Sequence, residues 1–453
     1  MSNFKIKKGF DIKLAGKPSL DVVDWPNSGI STLYPLEFTG VKQRLKVKEG
    51  DVIARGAELL EDKRNERFKI CAPAGGNIKS IIRGARRFVE EIIIEVDTEK
   101  APVQFKNYQL NETNSVTRED IIDQLLRTGY LSLIKQRPFS QIADIKAKPK
   151  SIFVNGMNTA PFQANADVVV EDDTEGFQAG LNLLTQLTDG AVHLCVSTNS
   201  RNTIKSVENV QVHTFSGPHP SGNTSVHISR IDPIKPTDIV WTVKAVDLLL
   251  IGRLFLDGVL PASRIISIGG PGIKEEGRKH YRMNIGGELE PLFSRHIQEG
   301  EQRVINGDIL SGTKIEQNGG LRLHQSSITV IPEGRERRFL GWTMPGFNLL
   351  SFTRTVASSW LGGKKSWTLN SNMNGSVRAM VLTGHYDKIM PLNIMVDFLV
   401  RAVLAKDTDE AISLGILETD PEDFALCEFI CPSKMELQDI IRKGLADIEE
   451  EGI

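Results

Sequence analysis

The sequence predicts a multidomain α/β protein: a β-rich N-terminal unit, a parallel α/β domain, a second, small β-rich module and a helical C-terminal unit. Three observations carry this expectation. Residues 47–97 set short apolar runs between glycine turns, the pattern of a small β-domain. Residues 148–255 alternate strand-like and helix-like patterns, which calls for parallel strands joined by crossovers. The 453 residues are enough for about three domains.

Taken in order, residues 47–59 alternate apolar positions with turns at Gly50 and Gly56, and residues 91–97 close the unit as a strand. Residues 118–134 read as a helix with Ile121, Ile122, Leu125, Leu126 and Tyr130 on one face. Residues 152–154, 167–170 and 192–196 read as strands. Between them, 176–187 reads as a helix with Phe177, Leu181, Leu184 and Leu187 on one side and Gly190 ending it. Right-handed crossovers are expected. Residues 262–315 read as β-rich, with strands at 264–270 and 303–310, and 331–390 as a connecting β-rich segment. In the helical unit, Asp420, Pro421, Glu422 and Asp423 mark a helix start that Pro432 ends. Ser433 to Glu436 forms a capping box for the next helix, which buries Leu437, Ile440, Ile441, Leu445 and Ile448. The expected domains are 1–100, 101–260, 261–330, 331–390 as connection, and 391–453.

Composition excludes several roles. Apolar residues make up 40%, charged residues 25%, and net charge is −2, so nothing in the totals favours nucleic acid or an anionic membrane as partner. Cys71, Cys195, Cys427 and Cys431 make no disulfide framework in a chain of this size, which fits a reducing cytoplasm. The N-terminus is charged and lacks an apolar run, so no signal peptide is expected. The best membrane-spanning candidate, 245–260, is too short and carries Asp247, Arg253 and Asp257.

The densest stretch is 211–233, where Gly217, Pro218, Pro220 and Gly222 fix a rigid path among His213, His219 and His227. Spacings of six and eight match no standard zinc pattern, so these histidines are read as structural or contact residues and no metal is expected. No nucleophile elbow occurs.

Five motifs in order carry a resemblance: Ile-Lys-Lys-Gly-Phe-Asp-Ile-Lys-Leu-Ala-Gly-Lys-Pro at 6–18, Arg-Pro-Phe-Ser at 137–140, Phe-Ser-Gly-Pro-His-Pro-Ser-Gly at 215–222, Val-Ile-Pro-Glu-Gly-Arg-Glu-Arg at 330–337, and Cys-Glu-Phe-Ile-Cys-Pro-Ser-Lys at 427–434. Together they resemble the NqrA family, the A subunit of the bacterial sodium-translocating NADH:quinone oxidoreductase. The resemblance implies a peripheral protein on the cytoplasmic face of the inner membrane, docked on the membrane-embedded B subunit. The whole complex oxidises NADH, reduces ubiquinone or menaquinone and exports sodium. Its flavins and iron–sulfur centres are expected in other subunits, with none bound here.

For the fold, the resemblance implies a biotinyl/lipoyl-carrier-like barrel-sandwich, a Rossmann-like domain and a ubiquitin-like β-grasp module. Lys63 matches the lysine that carriers modify. The run Lys63-Arg64-Asn65-Glu66-Arg67 stands where they keep a small residue, so no attached group is expected. The family is similar to the flavin-carrying NADH subunit of complex I and to the C subunit of the Rnf complex. Their glycine-rich flavin loop should fall near 127–140. Here one glycine remains among Leu131, Leu133, Ile134 and Gln136, so backbone cannot approach a phosphate. Residues 155–161 lack the acids of the nucleotide landmark, so NADH is not expected there. An iron–sulfur site needs about four cysteines, and Cys427 and Cys431 alone read as vestigial, packed thiols, with a redox pair as the alternative.

A quinone pocket is the expected replacement, with Tyr130, Leu131, Leu133, Ile134 and Phe139 apolar and Arg137 a donor to a carbonyl oxygen. The same residues could instead fill the vacated flavin space. Two further readings are a stand-alone NADH-dependent flavin enzyme and a carrier modified at Lys63.

Overall fold

The structure, a computed structural model, describes residues 2–235, 237–335, 341–361 and 366–452. Glu336 and Arg337 of the fourth motif lie outside the described residues. Two small antiparallel sheets make the N-terminal unit. One runs Ile30–Leu33, Val89–Val96, Gly76–Arg83, Val52–Ile53, and the other Gln43–Leu45, Glu58–Asp62, Asn65–Cys71. Alternation explains most of them: Ile78, Ile92 and Ile94 point into one core with Ile70 from the facing sheet, while a register shift between Glu58 and Leu60 lets the consecutive Leu59 and Leu60 both enter it.

The central sheet has seven strands in the order Ser2–Lys5, Gln211–Ser216, Val192–Ser197, Ser151–Gly156, Val240–Lys244, Lys135–Arg137, Gln141–Ile142. The first five are parallel; Lys135–Arg137 pairs antiparallel with Val240–Lys244, and Gln141–Ile142 antiparallel with Lys135–Arg137. Its faces sort by residue parity. Ile152, Val154, Leu194, Val196, Trp241 and Val243 enter the core shared with helices Thr174–Thr185 and Ala245–Asp257. Phe153, Cys195, Phe215 and Val240 enter the core shared with the C-terminal helices. Both faces are therefore covered, as a parallel sheet requires.

The first residues leave the N-terminal unit. Ser2–Lys5 pairs with Gln211–Ser216 in the central sheet, and Val22–Asp24 pairs with His280–Asn284 in the next. Gly217, at φ +137°, permits this, because a Cβ there would collide with the Ile6 carbonyl. The β-rich module is a six-stranded sheet ordered Thr313–Ile315, Gln302–Asn306, Ser327–Pro332, Ser263–Gly269, His280–Asn284, Val22–Asp24, with its own core around Ile266, Leu292 and Phe293.

Four expectations are corrected. Residues 167–170 are not a strand but part of helix Ala166–Asp172, because Asn165 accepts from the N–H groups of Asp167 and Val168 and caps it; the local cap overrides the β-preference of three valines. Gly190 is not a helix cap, since Thr174–Thr185 already ends at Gln186. Ser433 does not cap Leu437–Glu451: its hydroxyl donates to the Ala379 carbonyl at 2.9 Å, and Glu436 takes the cap position without a side-chain bond. The connecting segment 331–390 is not β-rich. Past Pro332 its described residues hold one isolated bridge, Leu14 to Trp367, and short 3-10 turns.

The C-terminal unit consists of helices Val396–Ala405, Thr408–Ser413, Ala425–Ile430 and Leu437–Glu451. No helix among the described residues is long and apolar enough to cross a membrane.

Candidate functional site

In an open parallel sheet, ligands bind beyond the carboxyl ends of the strands where the strand order reverses. Here that point lies between Ser151–Gly156 and Val240–Lys244. The crevice is closed over by the His219–Asn223 loop, by Asp308 to Ser311 of the β-rich module and by Glu422 of the helical unit, leaving about 90 Å³. Asn155 donates to the Gly222 carbonyl at 2.9 Å and to Thr224 Oγ1 at 3.0 Å, tying the loop down. A flavin or dinucleotide would need this cover displaced, since drug-sized sites run to about 300–1,000 Å³. A groove of about 450 Å³ lies beside it, lined by Lys13, Lys17, Asn158, Thr159 and Asp167.

A larger space lies elsewhere, a cleft of about 710 Å³ where the N-terminal, α/β and helical units meet. Leu131, Phe139, Ile142 and Ile145 give it an apolar wall, and Asp62, Arg64, Asp420, Glu422, Arg442 and Glu449 a polar rim. Phe139 and Ser140 sit at φ +75° and +52°, a left-handed conformation unfavourable to both residue types and held by surrounding contacts. One such contact is the Ser140 hydroxyl donating to Asp420.

The structure divides the expected pocket residues. Leu131 and Phe139 reach the cleft. Tyr130, Leu133 and Ile134 are buried in the core between the N-terminal sheets and the α/β helices, and line no part of it. Burial pushes the Tyr130 phenol well above its ordinary range. Helix Arg118–Thr128 ends at Gly129 in the left-handed region, and Tyr130–Leu133 turns inward as a 3-10 helix. A Cβ on Gly129 would lie 2.6 Å from the Lys69 carbonyl. Arg137 is buried and already committed: Nη1 donates to the Thr419 carbonyl at 3.1 Å and pairs with Asp420 at 3.0 Å.

Sequence reasoning missed the acidic cluster as a site. Asp420 and Asp423 cap each other's backbone, which accounts for them as a helix start and hides the position of Asp420 on the cleft. Glu422 faces both the cleft and the small cavity at the sheet edge. Its carboxyl is pushed up to about 8, first by loss of water and then by repulsion from Asp420 and Asp423. Buried Asp423 is also raised, mainly by desolvation, while accepting from Asn223 at 3.0 Å.

The three histidines have separate partners. His213 bonds His193 at 3.0 Å, His219 bonds Thr159 at 3.0 Å, and His227 donates to the Ser221 carbonyl at 3.1 Å. Desolvation lowers all of them, His219 to about 4 and His227 to about 3, so they are neutral at pH 7. Among the described residues no group of three metal-ligating side chains comes together. Cys427 lies in helix Ala425–Ile430, and Cys431 is its C-cap. Both are free and buried, and Tyr386 donates to Cys431 Sγ at 2.9 Å. Lys63 is exposed at the tip of the hairpin formed by Glu58–Asp62 and Asn65–Cys71.

Models of three domains match this chain: the NqrA N-terminal barrel-sandwich hybrid domain over residues 4–97, the NqrA second alpha/beta domain over 116–260 and the NQRA C-terminal domain over 265–317. Among full-length relatives, the chain is similar to the A subunit of the Na(+)-translocating NADH-quinone reductase of Pasteurella multocida (strain Pm70), 38% identical over 451 residues and 99% of both chains. The Yersinia pestis protein of the same name is 38% identical over 450 residues, 99% of this chain and 100% of the other. That of Histophilus somni (strain 2336) is 39% identical over 448 residues, 99% of both.

Proposed function

The chain belongs to the NqrA family, the A subunit of the Na(+)-translocating NADH-quinone reductase, and from that premise we propose that it is the peripheral member of such a complex, bound to the membrane-embedded B subunit on the cytoplasmic face and taking part in quinone binding. The complex couples NADH oxidation and reduction of ubiquinone or menaquinone to sodium export, with flavins and iron–sulfur centres carried by other subunits. In this reading the N-terminal sheets are a carrier-like sandwich without an attached group, the central domain is Rossmann-like with a degenerate nucleotide site, and the six-stranded module is a β-grasp.

The cleft of about 710 Å³ carries the quinone part. It has the size of a small-molecule site, an apolar wall for a ring and side chain, and polar groups for carbonyl oxygens. Leu131 and Phe139 supply apolar contact, while Arg442 offers donors. Arg137 acts one step back, holding Asp420 and through it the Ser140 turn. Thermal melts of the purified chain with and without a soluble quinone analogue test this. A concentration-dependent rise in melting temperature, lost in Phe139→Ala, is expected. No shift in the parent protein rejects the pocket.

A further inference from the structure

The segment linking the six-stranded sheet to the C-terminal helices differs from the rest of the surface. From 339 to 386 the sequence holds no Asp or Glu, although 57 of the chain's 453 residues are acidic. It holds four cations, Arg354, Lys364, Lys365 and Arg378, and three of the chain's five tryptophans, Trp342, Trp360 and Trp367.

The described residues sort by side. Leu350, Phe352, Leu369 and Met380 pack inward against the core of the helical unit. The Phe352 ring meets Phe10 edge-on at 5.4 Å and His385 at 5.9 Å. Met344, Phe347, Trp360, Leu361, Met373 and Val377 face outward, with Trp360 76% and Leu361 72% exposed. The loop is closed by its own bonds: Ala357 N–H to the Pro345 carbonyl at 2.7 Å, Ser358 Oγ to the Leu349 carbonyl at 2.5 Å, and Trp360 Nε1 to the Arg354 carbonyl at 3.0 Å. These apolar groups are therefore presented on a built surface. Single exposed apolar residues are ordinary, but six large ones in one segment whose charges are of one sign mark a contact surface. Among the described residues neither Arg354 nor Arg378 pairs with a carboxylate, and both are exposed.

We propose that the loop 341–361, together with the exposed Met373, Val377 and Arg378 of the same segment, is a membrane-docking surface that lies against anionic lipid headgroups. Trp360 and Leu361 enter the boundary between headgroups and acyl chains, where an amphipathic indole is favoured. Arg354 and Arg378 meet the lipid phosphates. Charge complementarity favours lipid over a membrane-embedded protein as the occupant, because cytoplasmic loops of membrane proteins are themselves enriched in Lys and Arg. The proposal rests on the chain's role at a membrane and gives it a second hold there, beside a lipid-soluble substrate.

The test is flotation of the full chain with quinone-free vesicles of phosphatidylcholine alone, or with phosphatidylglycerol added. Binding should require phosphatidylglycerol and weaken with salt. Each cation at an anionic surface is worth about fivefold in binding, so Arg354→Glu with Arg378→Glu should lose at least about tenfold. Trp360→Ser with Leu361→Ser should lose several-fold at unchanged melting temperature. If the apolar pair fails to fold, lipid selectivity of the parent and the charge-reversal variant still decide. Equal binding to both vesicles, no binding, or charge-reversed protein that binds like the parent overturns the proposal. So does a result in which these variants lose only the detergent-solubilised membrane proteins of the complex, which would make the surface a protein interface. Because the vesicles hold no quinone, failure of the quinone pocket leaves this result untouched.

Discussion

The crevice at the sheet's carboxyl edge and the cleft between units are neighbours that share Glu422 and Ser311, yet one has shrunk to about 90 Å³ and the other opens to about 710 Å³. The sheet keeps the strand order that elsewhere creates a nucleotide crevice, but a proline-rich loop and two other units have filled it. Room for a ligand has instead been left where three units meet. Strand order alone therefore does not leave room for a ligand; what packs on the sheet edge decides whether the room remains.

The comparison breaks most severely at Arg137. Its pairing with Asp420 joins the α/β domain to the helical unit behind the cleft wall. Arg137→Ala leaves Asp420 and the Thr419 carbonyl without their cation, and removing one partner of a buried pair costs about 3–5 kcal/mol. Urea unfolding should show that loss, together with loss of any quinone-analogue shift. A cost under about 1 kcal/mol would mean that the wall stands without this pair.

Phe139 comes next. It is only partly buried, so Phe139→Ala should cost about 1–3 kcal/mol, less than the 3–5 kcal/mol of a fully buried phenylalanine. Its φ of +75° adds a sharper expectation: Phe139→Gly should be no less stable than Phe139→Ala, because glycine accepts the left-handed region. An alanine variant clearly more stable than the glycine variant would show that the backbone relaxes there.

Glu422, on the wall between the two spaces, gives a pH-dependent test. Its folded-state value of about 8 lies above its ordinary 4.5, so the folded protein keeps a proton that the unfolded chain releases. The stabilisation is whole below about pH 4.5 and is lost as pH rises through 8. Glu422→Gln carries no such loss. Its melting temperature should match the parent below about pH 4.5 and exceed it by a growing margin as pH rises to 8. Parallel profiles across that range would show that Glu422 is ionised in the folded protein.

Much of the architecture was legible because it rests on periodicity. Residues 152–154 and 192–196 read as strands and lie in strands Ser151–Gly156 and Val192–Ser197, and the glycine turns at 50 and 56 punctuate the N-terminal strands. What was not legible depends on distant contacts. Three consecutive valines at 168–170 read as a strand until Asn165 caps them as a helix. Tyr130, Leu133 and Ile134 look like a pocket wall from composition, but the turn at Gly129 sends them into a core, and only Leu131 and Phe139 reach open space. Asp420 and Glu422 read as a helix start, which they are, and nothing local shows that they also line the cleft. A net charge of −2 likewise conceals an acid-free stretch of 48 residues between 339 and 386.

The smallest effect is expected at Lys63, on the hairpin whose Asp62, Arg64 and Asn65 form the cleft's rim. The Lys63 backbone N–H donates to the Lys42 carbonyl at 2.8 Å, and Asp62 accepts from the N–H groups of Lys42 and Arg64 at 3.1 and 3.0 Å. These bonds hold the turn through the backbone and Asp62, leaving the lysine side chain in water. Lys63→Ala should change stability by less than about 0.5 kcal/mol, as exposed substitutions do. It should also leave quinone reduction by the assembled complex intact. Intact mass of the chain purified from its native complex sharpens the point, because a carrier would show an adduct that the variant lacks. An adduct together with lost turnover would place chemistry on the hairpin tip and reduce the cleft beside it to a docking groove for the attached group.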